Sequence, residues 1–249
     1  MTSPVRVWAP KWPVAPRVRA VTTLRAGGVS KTPYATLNLA GHVGDNVAAV
    51  QENRRRLATA LALPTEPVWL NQAHGCRVVD VERVDSNSQA DGVVTRRVGT
   101  VCAVLTADCL PLFLCNRAAT EVGVLHVGWR GMAAGIIDQG IAAFAAPAEE
   151  LLASLGPAIS ARRFEVGEEV RTALTFDDPR SAAAFVPSVN PGRWLADLYL
   201  LARWRLERLG VASITTPEAA LCTFDQSDQF YSYRRTPTCG RMASLIWLI

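Results

Sequence analysis

Between residues 68 and 126 the sequence places one short apolar run after another, each cut by glycine, aspartate or arginine before it reaches helical length. That spacing predicts strands at 68–70, 77–81, 92–94, 101–105 and 121–126. Further strands are expected at 17–23, 151–155, 213–215 and 243–248. Apolar positions Val47, Val50, Leu57 and Leu61 follow helical spacing and predict a helix over 47–63, capped by Asp45 or Asn46. Helices are also expected over 132–145, 164–174 and 194–209, the last stopped by Gly210. Strands that cluster, rather than alternating with helices, point to an α+β chain with mixed sheets covered by helices. No repeat or Gly/Ser linker divides the sequence, so residues 1–249 are read as a single domain. The long Gly-, Pro- and Asn-rich stretch from Ala26 to Asn46 is expected to be a functional loop.

Apolar residues make up 49% of the chain and charged residues 19%, a balance that excludes a disordered chain. The net charge is +4 and no run of five like charges occurs, so no nucleic-acid tail is present. Lys11 and Lys31 are the only lysines; the remaining basic residues are arginine, which suits bidentate recognition of phosphate or carboxylate. GC-rich codon usage would produce the same bias. The N-terminal stretch is broken by prolines and lacks the apolar core of a secretory signal. No apolar run reaches the ~18 residues of a membrane span. A cytoplasmic location is therefore expected, with no membrane partner. There the 6 cysteines read as free thiols or ligands, and none forms a C-x-x-C pair.

Only three histidines exist: His42, His74 and His126. His74 lies in NQAHG, after a short apolar run. His126 ends a run before a glycine-bearing turn, and Cys109, in TADCLP, is expected to end the strand that begins near Val101. Displayed together at one sheet edge, His74, Cys109 and His126 would form a two-imidazole, one-thiolate set that suits zinc and leaves one position open. Asp108 would point to the opposite side and anchor the site, and Asp91, in QADGVVT, is a second candidate carboxylate. The spacing alone is also compatible with Cys109 packed as a small hydrophobe. A third option is a nucleophilic Cys109–His126 pair.

Several separated strings decide among these. GGVSKTPYATLNLAGHVGDN, NQAHG, ADGVVT, TADCLPLFL, LHVGWRGMAAGI, LGPAIS and SYRR occur in one order along the chain, which resembles the YfiH-like, laccase-domain family. The resemblance implies a β-sandwich flanked by helices and a mononuclear zinc site on His74, Cys109 and His126. It further implies phosphorolysis of adenosine, inosine, guanosine and methylthioadenosine, together with adenosine deamination. The older multicopper oxidase label for this family is chemically incompatible with three histidines and no H-x-H pair. Copper would be an adventitious occupant of the one site, favoured by its higher divalent affinity. The H-x-E and P-C-x-x-C signature of zinc deaminases is absent.

Catalytic roles are accordingly expected for Cys109, His126 and Asp108. Arg25, Arg130 and Arg234, with Arg235 as an alternative, are candidates for phosphate, and Asn38, His42, Asn71 and Gln72 for ribose or base. Tyr34, Trp129, Phe230 or Tyr233 could stack on a purine. The partners expected are purine nucleosides and phosphate, bound by a monomer. The competing function is a Cys–His hydrolase acting on amide or ester bonds, such as those of cell-wall precursors.

Overall fold

The computed structural model describes residues 4–81, 89–217 and 221–249. Its first half runs β1 (Val7–Trp8), β2 (Val18–Thr23), α1 (Val47–Leu61), β3 (Val68–Trp69), β4 (Val78–Asp80), β5 (Gly92–Thr95), β6 (Cys102–Thr106), β7 (Leu110–Asn116) and β8 (Val122–Val127). Next come α2 (Trp129–Ala133), α3 (Ile136–Ala142), β9 (Leu151–Leu155), β10 (Glu165–Gly167), α4 (Glu168–Thr175) and β11 (Phe185–Pro187). The chain closes with β12 (Arg193–Ala196), α5 (Leu198–Arg208), β13 (Ser213–Thr215) and β14 (Met242–Leu248). No helix among the described residues is long and apolar enough to cross a membrane.

Two large mixed sheets stack face to face. One is five-stranded, in the order β1-β2-β14-β6-β3; the other is six-stranded, β13-β9-β7-β8-β5-β4. A small three-stranded sheet, β10-β12-β11, stands apart from them. The expected sandwich is therefore present, and the reason lies in the period of two along each strand. Cys102 and Val104 of β6, Phe113 and Cys115 of β7, and Val122 and Val124 of β8 fill the space between the sheets. The intervening residues face outward, yet are buried too. Val101, Ala103 and Leu105 pack beneath α1 and the Leu37–Ala40 stretch, while Leu110, Leu112 and Leu114 pack under α3, α4 and α5. Helices or loops thus cover both outer faces, and the central strands read as continuous apolar runs rather than as alternation.

That double burial hid one strand from the sequence reading. The strand from Val101 does not continue to Cys109: β6 stops at Thr106, a turn spans 107–109, and β7 begins at Leu110. Asp108 sits in that turn at φ 92, so the expectation that it alternates with Cys109 along one strand is corrected. The helix expected over 132–145 is two short helices, broken at Gly135, whose φ of 92 favours glycine. The helices expected from 164 and 194 begin later, because their first residues pair as β10 and β12. In α5 the Asp197 carboxylate accepts the Leu200 N–H and marks the true start.

The predicted cap of α1 holds, with the Asn46 side chain accepting from the Ala49 N–H. One turn on, Asn53 is fully buried and pins the long loop. Its amide donates to Ser30 Oγ, Thr36 O and Asn38 O, and accepts from the Val29 N–H. A loop without internal strands or helices is fixed here by satisfying its backbone from a helix side chain.

Candidate metal centre and its cavity

Two turns and a strand end bring the site together where the two large sheets meet. His74 follows β3 at φ 58, Cys109 ends the β6–β7 turn, and His126 lies near the end of β8, paired with Pro111 of β7. The potential ligand atoms of these residues all lie within 4.8 Å of one another. The two imidazoles meet edge-on, with ring centroids 4.7 Å apart at 78°. Gly128 passes close beside them: a Cβ there would stand 3.1 Å from Cys109 Sγ and 3.3 Å from His74 Cδ2, so any side chain would crowd the donors.

Asp91 organises this wall. It is 1% exposed and sits just before β5. Its carboxylate accepts the backbone N–H groups of Ala73, His74 and Gly75 at 3.1, 2.9 and 2.7 Å, which shapes the His74 turn. The same carboxylate lies 2.8 Å from His126 Nδ1. With Nδ1–H donating to Asp91, His126 presents Nε2 to Cys109 and His74, the arrangement typical of metal-ligating histidine.

The charges follow from that geometry. Burial alone would push the Asp91 carboxyl up, but the hydrogen bonds from His126, Gly75 and Ala73 outweigh it and hold the carboxyl below its ordinary range. Burial would likewise raise the Cys109 thiol; the positive His126 ring and hydrogen bonds from both imidazoles bring it down to about 6. For His126, burial acts to lower the pKa, and the Cys109 and Asp91 charges reverse it to about 9. Each charge thus favours the other, drawing the thiol toward thiolate and the imidazole toward imidazolium. Two nitrogens and one easily deprotonated sulfur form a donor set that fits a borderline-soft divalent ion.

In front of the donors opens a cavity of about 620 Å³, within the range of small-molecule sites. The expected residues His42, Gln72, Trp129, Arg130, Tyr233 and Arg234 line it. Gln72 is fixed by Leu105, donating to its carbonyl and accepting from its N–H. His42 is pushed below its ordinary pKa by burial and by the nearby charges of Arg241, Arg54 and His74.

Other expected contacts do not face the cavity. Arg25 donates to Ala35 O and Ser227 O and lies over the Tyr231 ring, so it ties the long loop to the C-terminal segment. Asn38 is fully buried and bonded to Ala40, Asp45 and Arg241 backbone or side-chain atoms. Arg235 donates to the carbonyls of Thr223, Phe224 and Phe230. Tyr34 donates to Val43 O, Phe230 is completely buried, and Asn71 bridges to Gln89. Asp108 does reach the cavity wall, but its carboxylate is bonded to Thr223, Ser232 and Arg234 rather than to a metal donor.

The sequence reading missed Arg241 and Phe164, which also line the cavity. Among so many arginines nothing local marks Arg241. A pattern is visible only in space: each cavity arginine lies over an aromatic ring that lines the same cavity. The pairs are Arg130 on Trp129 at 4.4 Å, Arg234 on Phe164 at 5.4 Å and Arg241 on Tyr233 at 5.7 Å.

The sequence model of the multi-copper polyphenol oxidoreductase laccase family matches residues 19–249. The protein named purine nucleoside phosphorylase YfiH in Escherichia coli is 48% identical over 241 residues, covering 96% of this chain and 98% of its own. The chain belongs to the YfiH family. A YfiH relative from Pseudomonas aeruginosa, also named a purine nucleoside phosphorylase, is 47% identical over 96% of this chain and 97% of its own. Among solved structures, protein NMB0706 of Neisseria meningitidis matches with a TM-score of 0.91 at 44% identity, covering 97% of this chain and 98% of that one. YlmD of Geobacillus stearothermophilus matches at 0.88 and 31%, covering 98% of both chains. Among the described residues the YfiH fold here carries a single compact donor set, and with three histidines in all the chain lacks the imidazoles for a multicopper cluster.

Proposed function

We propose that this chain is a zinc-dependent purine nucleoside phosphorylase, acting on adenosine, inosine, guanosine and methylthioadenosine, with adenosine deamination at the same site. The observation that carries the reading is the placement of His74, Cys109 and His126 in the wall of a cavity rimmed by arginine–aromatic pairs. The names of the relatives support the substrate class.

Phosphorolysis breaks the C1′–N9 bond of the nucleoside and forms a bond from C1′ to a phosphate oxygen. The electron pair of the broken bond leaves on the purine. Arg130, Arg234 and Arg241 hold the phosphate anion, which they suit by their fork of N–H donors. Trp129 and Tyr233 offer flat faces to the purine, and His42 and Gln72 reach its polar edges or the ribose. His74, Cys109 and His126 would hold zinc, which would supply a Lewis acid beside the substrate. Copper is an adventitious occupant of the same donors. Asp91 fixes the His126 ring so that Nε2 stays turned to the donors.

Inosine supplied with and without phosphate tests the reaction. Hypoxanthine release that requires phosphate, from protein with near-stoichiometric zinc, is the expected result; release that ignores phosphate means hydrolysis.

A second reading has its own observation. Cys109, His126 and Asp91 form a thiolate–imidazole–carboxylate series, the arrangement of a cysteine hydrolase acting on amides or esters. Full activity in chelator-treated, metal-free protein, abolished by alkylating Cys109, would establish that reading over the first.

A further inference from the structure

The cavity has two walls, and one residue joins them. Asp108 stands beside Cys109 in the β6–β7 turn, 8% exposed, at a φ of 92 that non-glycine residues rarely adopt. Its carboxylate turns away from the donor cluster. Oδ1 accepts the Thr223 hydroxyl at 2.7 Å; Oδ2 accepts the Ser232 hydroxyl at 3.0 Å and the Arg234 backbone N–H at 2.7 Å. Its backbone carbonyl accepts the Ile159 N–H at 3.0 Å, and Ile159 also lines the cavity. Two segments of the cavity wall, at Ile159 and at 232–234, and the neighbouring Thr223 segment are therefore tied to this one turn. A strained backbone survives only where its surroundings over-determine it, and here three side-chain contacts and one main-chain contact do so.

Arg234 is the most direct beneficiary. Its own backbone is fixed by Asp108, its guanidinium donates to Glu165 O at 2.7 Å, and it lies over Phe164. Beyond these, the side chain stands exposed at the cavity rim. Asp108 thus fixes the main chain from which that guanidinium projects, and Glu165 O and Phe164 hold its tip.

We propose that Asp108 is a positioning residue that holds Arg234 at a fixed reach from the metal donors, so that an anion bound by Arg234 sits beside the reacting centre. The inference rests on the phosphorylase reading for its kinetic consequence, but not for its binding consequence.

The test is a double-substitution cycle on Asp108→Asn and Arg234→Ala in the full chain. Asparagine keeps the size of aspartate but sets one NH₂ against donors that now meet a carboxylate. Metal content, inorganic phosphate binding by calorimetry, and KM for phosphate and for inosine are read for each variant. The expected result is a KM for phosphate raised about tenfold by either change, with no further rise in the double variant. Zinc content and KM for inosine stay within about twofold of the parent. Ser232→Ala, which removes the other donor to the same Asp108 oxygen, gives a smaller shift in the same direction. Effects of Asp108→Asn and Arg234→Ala that multiply would overturn the proposal, as would loss of zinc in Asp108→Asn matching the loss of activity. If the parent chain shows no phosphorolysis, that reading fails alone; phosphate binding weakened equally by both changes would still support the tie.

Discussion

Two aspartates flank the cavity, and they organise its walls differently. Asp91 is almost wholly buried and satisfied by three backbone N–H groups and an imidazole, all within the chain that carries His74 and His126. Asp108, at the rim, gathers groups from 223, 232 and 234, more than a hundred residues away in sequence. The donor wall is built on strand ends and turns where the two sheets meet, with His126 buried, Cys109 half-buried and His74 exposed. The recognition wall is built from loops and a helix start; Arg130 and Arg234 are exposed there and Arg241 is half-buried. The donors are oriented by one buried carboxylate, Asp91, and the recognition groups sit on loops whose main chain Asp108 ties down.

The sharpest break of the comparison is at the donors themselves. Cys109→Ser or His74→Ala should reduce bound zinc from near one per chain to trace levels. Turnover should fall by about a hundredfold or more, as read by metal analysis on the same sample as the assay. Arg130→Ala should leave zinc in place. Next in size is Asp91→Asn. It unpairs backbone N–H groups of the His74 turn and frees the His126 ring, so metal affinity should drop about 10–100-fold and stability by about 1–3 kcal/mol. A zinc titration and a thermal melt separate these losses. An Asp91→Asn protein with parental metal affinity would remove the Asp91 clamp from the account.

The two walls also differ in how far the sequence reveals them. With three histidines in the chain, few donor sets exist, and the motif strings carry the one whose ligand atoms the fold brings within 4.8 Å. Asp91 is visible as a carboxylate, but its clamp on the His74 turn needs coordinates. The arginine wall is illegible for the opposite reason: arginine is everywhere, and neither Arg241 nor the structural roles of Arg25 and Arg235 leave a local mark. Strand β7 is hidden because both its faces are covered, so Leu110–Asn116 shows no alternation to separate it from β6. Where residue scarcity or period limits the choices the sequence suffices, and where long-range hydrogen bonds choose among equals it does not.

The donor wall can be probed by pH without turnover. In metal-free protein Cys109 titrates near 6, well below the ordinary thiol, because the charge of His126 outweighs burial. The sign follows: a depressed thiol pKa favours the folded state above the ordinary range near ~8.5, and that contribution disappears as pH falls through about 6. His126 is raised to about 9, so its contribution is complete below ~6.5 and disappears as pH rises through about 9. Alkylation of Cys109 by iodoacetamide should therefore be nearly flat between pH 7 and 9 and fall about tenfold per unit below 6. Zinc should suppress it throughout. A rate that still climbs steeply from pH 7 to 9 would mean an ordinary thiol, and the donor wall would lose its preformed charge.

Arg25→Ala gives the smallest effect and separates framework from recognition. The residue bonds to Ala35 O and Ser227 O and covers Tyr231, holding the long loop to the segment before Phe230. Its neighbours Asn53 and Asn38 keep their own bonds to that loop, so the loop should stay in place. The loss should be about 1–2 kcal/mol, from carbonyls left without a charged donor and a cation–aromatic contact on the buried Tyr231 ring. KM for phosphate should stay within about twofold, against the roughly tenfold rise expected for Arg234→Ala. Equal effects on phosphate from the two substitutions would place Arg25 in the anion site despite its bonds, and would move the recognition wall to the other side of the cavity.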